Sequence, residues 1–141
     1  MDNLRTEKIA LRLIARAEQC SAGLARKLKK RGCEPLSIEG VISNLTEQGL
    51  VNDSRYARLW LQTRIHLTRS PKRLLVGLCL RGIPKNEAKA ALDEVLDEET
   101  EYAMIERFAK KRAKKAGYQL KYLLKSEGFS SQTINNYILS L

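Results

Sequence analysis

The sequence is short of the residues that end helices and of those that carry chemistry. Three prolines and eight glycines punctuate 141 residues, too few for the many tight turns of a sandwich or barrel. Between them the apolar residues recur at three and four rather than alternating, which predicts helices and leaves essentially no place for strands. A single histidine, His66, has no cysteine or carboxylate cluster at ligand spacing, so neither a zinc site nor a Cys-His nucleophile can be built around it. The cysteines, Cys20, Cys33 and Cys79, are odd in number and share no CxxC spacing, and they read as reduced thiols in small apolar positions. Neither a GxxxxGK[ST] loop nor a GxGxxG turn is present, and no catalytic or cofactor-binding apparatus is expected. No apolar run reaches the roughly 18 to 20 residues that cross a bilayer, and MDNLRTEK lacks a signal peptide's apolar centre. A cytoplasmic protein with no membrane partner is expected.

What the chain has is positive charge and helical periodicity. Lys and Arg number 26 against 16 Asp and Glu, a net charge of +10, which attracts polyanions such as nucleic acid or an acidic protein groove. Hydrophobic residues make up 43% of the chain, enough for a core if its pieces cooperate.

One frame recurs three times: Leu24-x3-Leu28-x3-Gly32-Cys33, Leu74-x3-Leu78-x3-Gly82-Ile83 and Leu120-x3-Leu124-x3-Gly128-Phe129. Leucines four apart share a helical stripe, and a glycine four further on, followed by an apolar residue, predicts a Schellman end that folds back onto the helix. Apolar positions coincide again after each glycine: Ile38, Val41, Ile42, Leu45; Ala88, Ala91, Leu92, Val95; Ile134, Tyr137, Ile138, Leu141. They predict an amphipathic third helix. Upstream, Ile9, Leu13 and Ile14, then Tyr56, Leu59 and Trp60, then Tyr102, Ile105 and Phe108 predict a first helix in each unit. Ser21, Ser37, Asp53, Ser70 with Pro71, and Ser130 are the expected helix starts.

The expected fold is therefore all-α: three tandem three-helix repeats, helix-turn-helix-like, at residues 1–52, 53–97 and 98–141. A unit of about 45 residues hides little apolar surface alone, so neighbours should stack into an elongated array with little relative motion.

Only Lys85 and Lys89 of the 26 basic residues fall in the third helices. The densest runs are Arg26, Lys27, Lys29, Lys30 and Arg31; Arg69, Lys72 and Arg73; and Lys110, Lys111, Arg112, Lys114 and Lys115, with Lys121 and Lys125 beyond. A single run reads equally well as a solvated helix face, but three in comparable places point to a polyanion track. Such a track contacts phosphates, weakens with salt and reads little sequence. Trp60, Tyr56, Tyr102, Phe108, Phe129 and Tyr137 sit at packing positions, leaving Tyr118 and Tyr122 beside Lys121 as the better base-stacking candidates.

Several segments together carry a resemblance: ArgLeuIleAlaArg at 12–16, Ser21-x-x-Leu24-x-x-x-Leu28, Gly49-Leu50-Val51-Asn52-Asp53-x-Arg55-Tyr56-Ala57, and Ser70-Pro71-x-Arg73-Leu74 leading to Arg81-Gly82-Ile83. This pattern, over nearly the whole chain, closely resembles the bacterial recombination regulator RecX family. The resemblance implies a monomeric, non-enzymatic modulator of the RecA recombinase. It would bind in the groove of the RecA filament on single-stranded DNA, with duplex DNA as a further, weakly specific partner, and block growth or promote disassembly. The Lys110–Lys115 run would then reach DNA or a second recombinase subunit. Two other classes fit the composition. An independent helix-turn-helix DNA binder would place base-reading residues after the turn, where these helices are acidic or neutral; a protein-only adaptor would show no salt-sensitive affinity for nucleic acid.

Overall fold

The computed structural model describes residues 2–67, 70–112 and 117–141. Its helices are α1 (Asp2–Arg16), α2 (Ser21–Lys30), α3 (Pro35–Glu47), α4 (Asp53–Arg64), α5 (Pro71–Leu80), α6 (Lys85–Val95), α7 (Glu98–Lys111), α8 (Gly117–Ser126) and α9 (Ser131–Leu139). No strand occurs among the described residues, so the fold is all-α. α3 packs on α1 and α2, α6 on α4 and α5, and α9 on α7 and α8.

Each leucine frame is buried, and each ends as a Schellman motif. Gly32, Gly82 and Gly128 have φ of 82°, 95° and 90°. The next residue's amide reaches back to the second leucine's carbonyl, at 3.2 Å for Cys33 to Leu28, 3.1 Å for Ile83 to Leu78 and 3.2 Å for Phe129 to Leu124. This turn folds Cys33, Ile83 and Phe129 into the core, where all three are buried. A fourth such end follows α3: Gly49 has φ 77°, and Leu50 N donates to Leu45 O at 3.0 Å.

The helix starts are only partly the expected ones. Ser70 and Ser130 cap α5 and α9, accepting from Arg73 N and Thr133 N, and Pro71 holds the first turn of α5. Asn52, not Asp53, caps α4 and accepts from Arg55 N. Glu34 precedes Pro35 at the start of α3, leaving Ser37 inside the first turn. Cys20 occupies the cap of α2, and Ser21 is the first helical residue. Asp53 acts across the molecule instead, accepting from Ser21 N at 2.7 Å and Ser21 Oγ at 2.6 Å. A carboxylate there complements the exposed donors and positive end of α2, which a short serine hydroxyl alone does not do. Asp97 caps α7 through Thr100 N at 2.7 Å, and these hydrogen bonds lower its pKa.

Buried side chains form two clusters. One joins α1, α2 and α3 through Ala10, Leu13, Leu24, Leu28, Val41 and Leu45. The other runs from α4 to α9, takes in Trp60, Leu78, Ile105, Phe108, Phe129 and Ile134, and includes Cys20. Phe108 and Phe129 meet edge to face at 5.8 Å. Two of the expected apolar positions are exposed instead. Leu59 is 44% exposed because α4 turns Ala57, Trp60 and Leu61 inward, and Leu141, past the end of α9, is 76% exposed.

Candidate nucleic-acid interface

The Schellman turns do more than end helices. The carbonyl end of each later middle helix docks on the amide end of the one before it. At the α5/α2 contact, Cys20 Sγ donates to Arg81 O at 3.3 Å. At the α8/α5 contact, Ser70 Oγ donates to Glu127 Oε2 at 2.6 Å and Lys72 N to Glu127 O at 2.9 Å. Cys20 and Ser70 stand in the same place of the repeated frame, as do Arg81 and Glu127, so the junction itself is repeated. Glycine permits the approach: a Cβ on Gly82 would lie 2.4 Å from Ala22 Cβ, and one on Gly128 3.2 Å from Lys72 N. The partial negative end of one helix meets the partial positive end of the next, a favourable dipole contact. α8, α5 and α2 thus follow one another end to start.

Most of the predicted cations lie along that succession or beside it. Arg26, Lys27, Lys29, Lys30 and Arg31 are exposed on α2 and its end; Lys72 and Arg73 on the first turn of α5; Lys121 and Lys125 on α8; Lys110 and Lys111 at the end of α7. Lys27 Nζ is turned toward Gln19 Oε1 at 2.8 Å. Arg112 lies over the Phe108 ring, 4.2 Å from its centroid, and serves packing as well as charge. Arg69, Lys114 and Lys115 lie outside the described residues, as does the side chain of Tyr118. Tyr122 is 62% exposed on α8, whereas Phe108, Phe129 and Trp60 are buried. Between the basic ends, α5 presents Val76, Cys79 and Leu80 to solvent, so its outer face is apolar.

Counting charge runs misses cations that are spaced rather than adjacent. Arg5, Lys8 and Arg12 on α1 line a cleft of about 680 Å³ with Leu4, Ile9 and Arg31. Arg5 donates from a terminal guanidinium nitrogen to Arg31 O at 2.9 Å, which fixes it across the end of α2. The spacing i, i+3, i+7 is the signal that could have found them. Arg64 and Arg81 flank the Trp60 ring at 4.3 and 5.1 Å.

The densest family-like segment, Gly49 to Ala57, is a joint. Arg55 Nε pairs with Glu18 at 2.7 Å, and its other nitrogens donate to Gly49 O and Leu50 O at 2.9 and 3.3 Å. With Asp53 on Ser21, these contacts tie α4 to α2 and to the segment before it. Val51, 1% exposed, belongs to the core of α1, α2 and α3.

Among the described residues no group of three or more His, Cys, Asp or Glu is placed to hold a metal ion, and no helix is long and apolar enough to cross a membrane. No protein-family model matches the chain. A Treponema pallidum protein, regulatory protein RecX, is 34% identical over 113 residues, which cover 79% of this chain and 68% of that one. Regulatory protein RecX of Halorhodospira halophila is 36% identical over 89 residues, covering 63% of this chain and 53% of its own. The crystal structure of RecX from Lactobacillus salivarius superposes with a TM-score of 0.79 over 99% of this chain and 96% of that one, at 24% identity. A second crystal structure, of regulatory protein RecX, gives 0.79 over 96% of this chain and 71% of that one, at 19% identity. The structures share the fold, and the sequence relation covers most of the chain; the chain belongs to the RecX family of regulatory proteins.

Proposed function

We propose that this chain restrains the RecA recombinase by lying in the groove of its filament on single-stranded DNA, blocking growth or promoting disassembly without chemistry of its own. The observation that supports the reading is the end-to-start docking of α8, α5 and α2, helices whose exposed residues include Lys121 and Lys125, Lys72 and Arg73, and Arg26, Lys27, Lys29 and Lys30. A helical groove lined by phosphates and protein acids is met by several modest contacts spaced along it, and linked contacts bind far more tightly than any one of them. The apolar outer face of α5 between the basic ends fits a groove that is part protein. We read the chain as three units, at residues 1–52, 53–97 and 98–141, acting as one monomeric clamp in the cytoplasm.

The test is the ATPase rate of the host's recombinase on single-stranded DNA as this protein is titrated in, with binding to the bare strand measured across a salt series. A fall in ATPase below the level of protein that coats free DNA is expected. Tight, salt-sensitive DNA binding with an unchanged ATPase would refute filament regulation and leave an independent DNA binder.

A further inference from the structure

We propose that the cleft between α1 and the end of α2 seats phosphates of a nucleic-acid backbone, carrying the polyanion track past the middle helices onto the first helix. The proposal rests on the reading above that single-stranded DNA is a partner, and adds a contact that no charge run marks.

Arg5, Lys8 and Arg12 fall on one stripe of α1, and Arg31 faces them from the end of α2. Four of the residues that line the cleft are cations. Lys8 and Arg12, like charges four residues apart on one helix, repel; a phosphate chain turns that repulsion into attraction. Three of the four are arginines, whose planar forks match phosphate oxygens in pairs. The bond from Arg5 to Arg31 O joins the two helices and sets the cleft's shape before any ligand arrives. From Arg5 to Arg12 the stripe runs about 10 Å at the helical rise, longer than one phosphate. Leu4, 60% exposed, and the half-buried Ile9 give the same cleft an apolar wall against which a sugar or base face can lie. Contacts from these cations to backbone phosphates carry no sequence information directly.

The experiment compares the full chain with Lys8→Gln/Arg12→Gln, which keeps Arg5 on Arg31 O, by anisotropy of a labelled oligothymidylate across a salt series. With two phosphates no longer neutralised, the slope of log affinity against log salt should become shallower by about 1.4, at about 0.7 per single-strand phosphate. Lys85→Gln/Lys89→Gln, the same charge removed from the exposed face of α6, should leave the slope unchanged. Circular dichroism and the fluorescence of Trp60, far from both pairs in sequence, report that each variant is folded. An unchanged slope in the cleft variant, or an equal fall in the α6 variant, overturns the proposal. Lys29→Gln/Lys30→Gln separates the two levels: if it weakens binding while the cleft variant does not, only the cleft assignment fails. If the unaltered chain does not bind the oligonucleotide, the DNA reading beneath it fails as well.

Discussion

Replacing Gly82 and, separately, Gly32 by alanine measures the junction between middle helices. Both glycines sit in left-handed backbone, at φ 95° and 82°, so each alanine should cost about 1–2 kcal/mol for a conformation that L-residues resist. Their surroundings differ. A Cβ on Gly32 meets nothing within 4 Å, whereas one on Gly82 lies 2.4 Å from Ala22 Cβ. Those two carbons cannot stay there, so α5 must withdraw from α2, stretching the bond from Cys20 to Arg81 O. Such overpacking adds about 1–3 kcal/mol, so Gly82→Ala should lose about 2–5 kcal/mol in all. Urea unfolding followed by the single tryptophan, Trp60, and by circular dichroism gives both values. Ala22→Gly removes the opposing carbon, so in the Gly82→Ala background it should restore the steric part, and the double-mutant cycle isolates about 1–3 kcal/mol of coupling. Equal losses at Gly32 and Gly82 with no coupling to Ala22 would refute the close approach, and with it the docking of α5 on α2.

Other predictions test the contacts that hold the helices in place. Glu101, 7% exposed, accepts from Ser130 N at 2.9 Å, Ser130 Oγ at 2.6 Å and Thr133 Oγ1 at 2.6 Å; Glu101→Ala strands these donors and should cost about 2–3 kcal/mol by urea unfolding. Asp53→Ala removes the acceptor for both Ser21 donors and should cost about 1–3 kcal/mol, with Asp53→Asn retaining part of it, read from the unfolding midpoint. Hydrogen bonds to Thr100, side chain first, lower the Asp97 pKa from 3.8. The stability this cap contributes is therefore complete above 3.8 and lost as pH falls through the lower folded value. Acid unfolding should accordingly show a loss of stability at the acid end that Asp97→Asn abolishes, and no pH dependence from this group near neutral pH.

The helices and their ends were legible in the chain because their causes are local. Leu24 to Cys33, Leu74 to Ile83 and Leu120 to Phe129 each close their turn by a bond from the residue after glycine to the one five before it, which spacing alone predicts. Buried Leu28, Leu78 and Leu124 follow from the same stripe. The basic runs were equally plain, because adjacency is what a sequence displays. Less legible were the caps of α2, α3 and α4, where Ser21, Ser37 and Asp53 are acceptable starts by type and sit one to three residues inside the true boundary. Residue type gives the preference for a cap, but the packed helix fixes its first turn.

By itself, then, the sequence determined an all-helical chain, three Schellman-ended leucine stripes, an excess of positive charge and membership of a family. Tertiary structure alone decided that Asp53 caps a helix 32 residues back, that Cys20 meets Arg81 across 61 residues and Ser70 meets Glu127 across 57. It also joined the buried residues of α4 to α9 in one core and gathered Arg5, Lys8, Arg12 and Arg31 around a cleft. The reason is the reach of the forces. Periodicity and turn chemistry act within a few residues and leave a repeated mark, whereas a contact between distant segments exists only once the packing of whole helices has brought its two halves together.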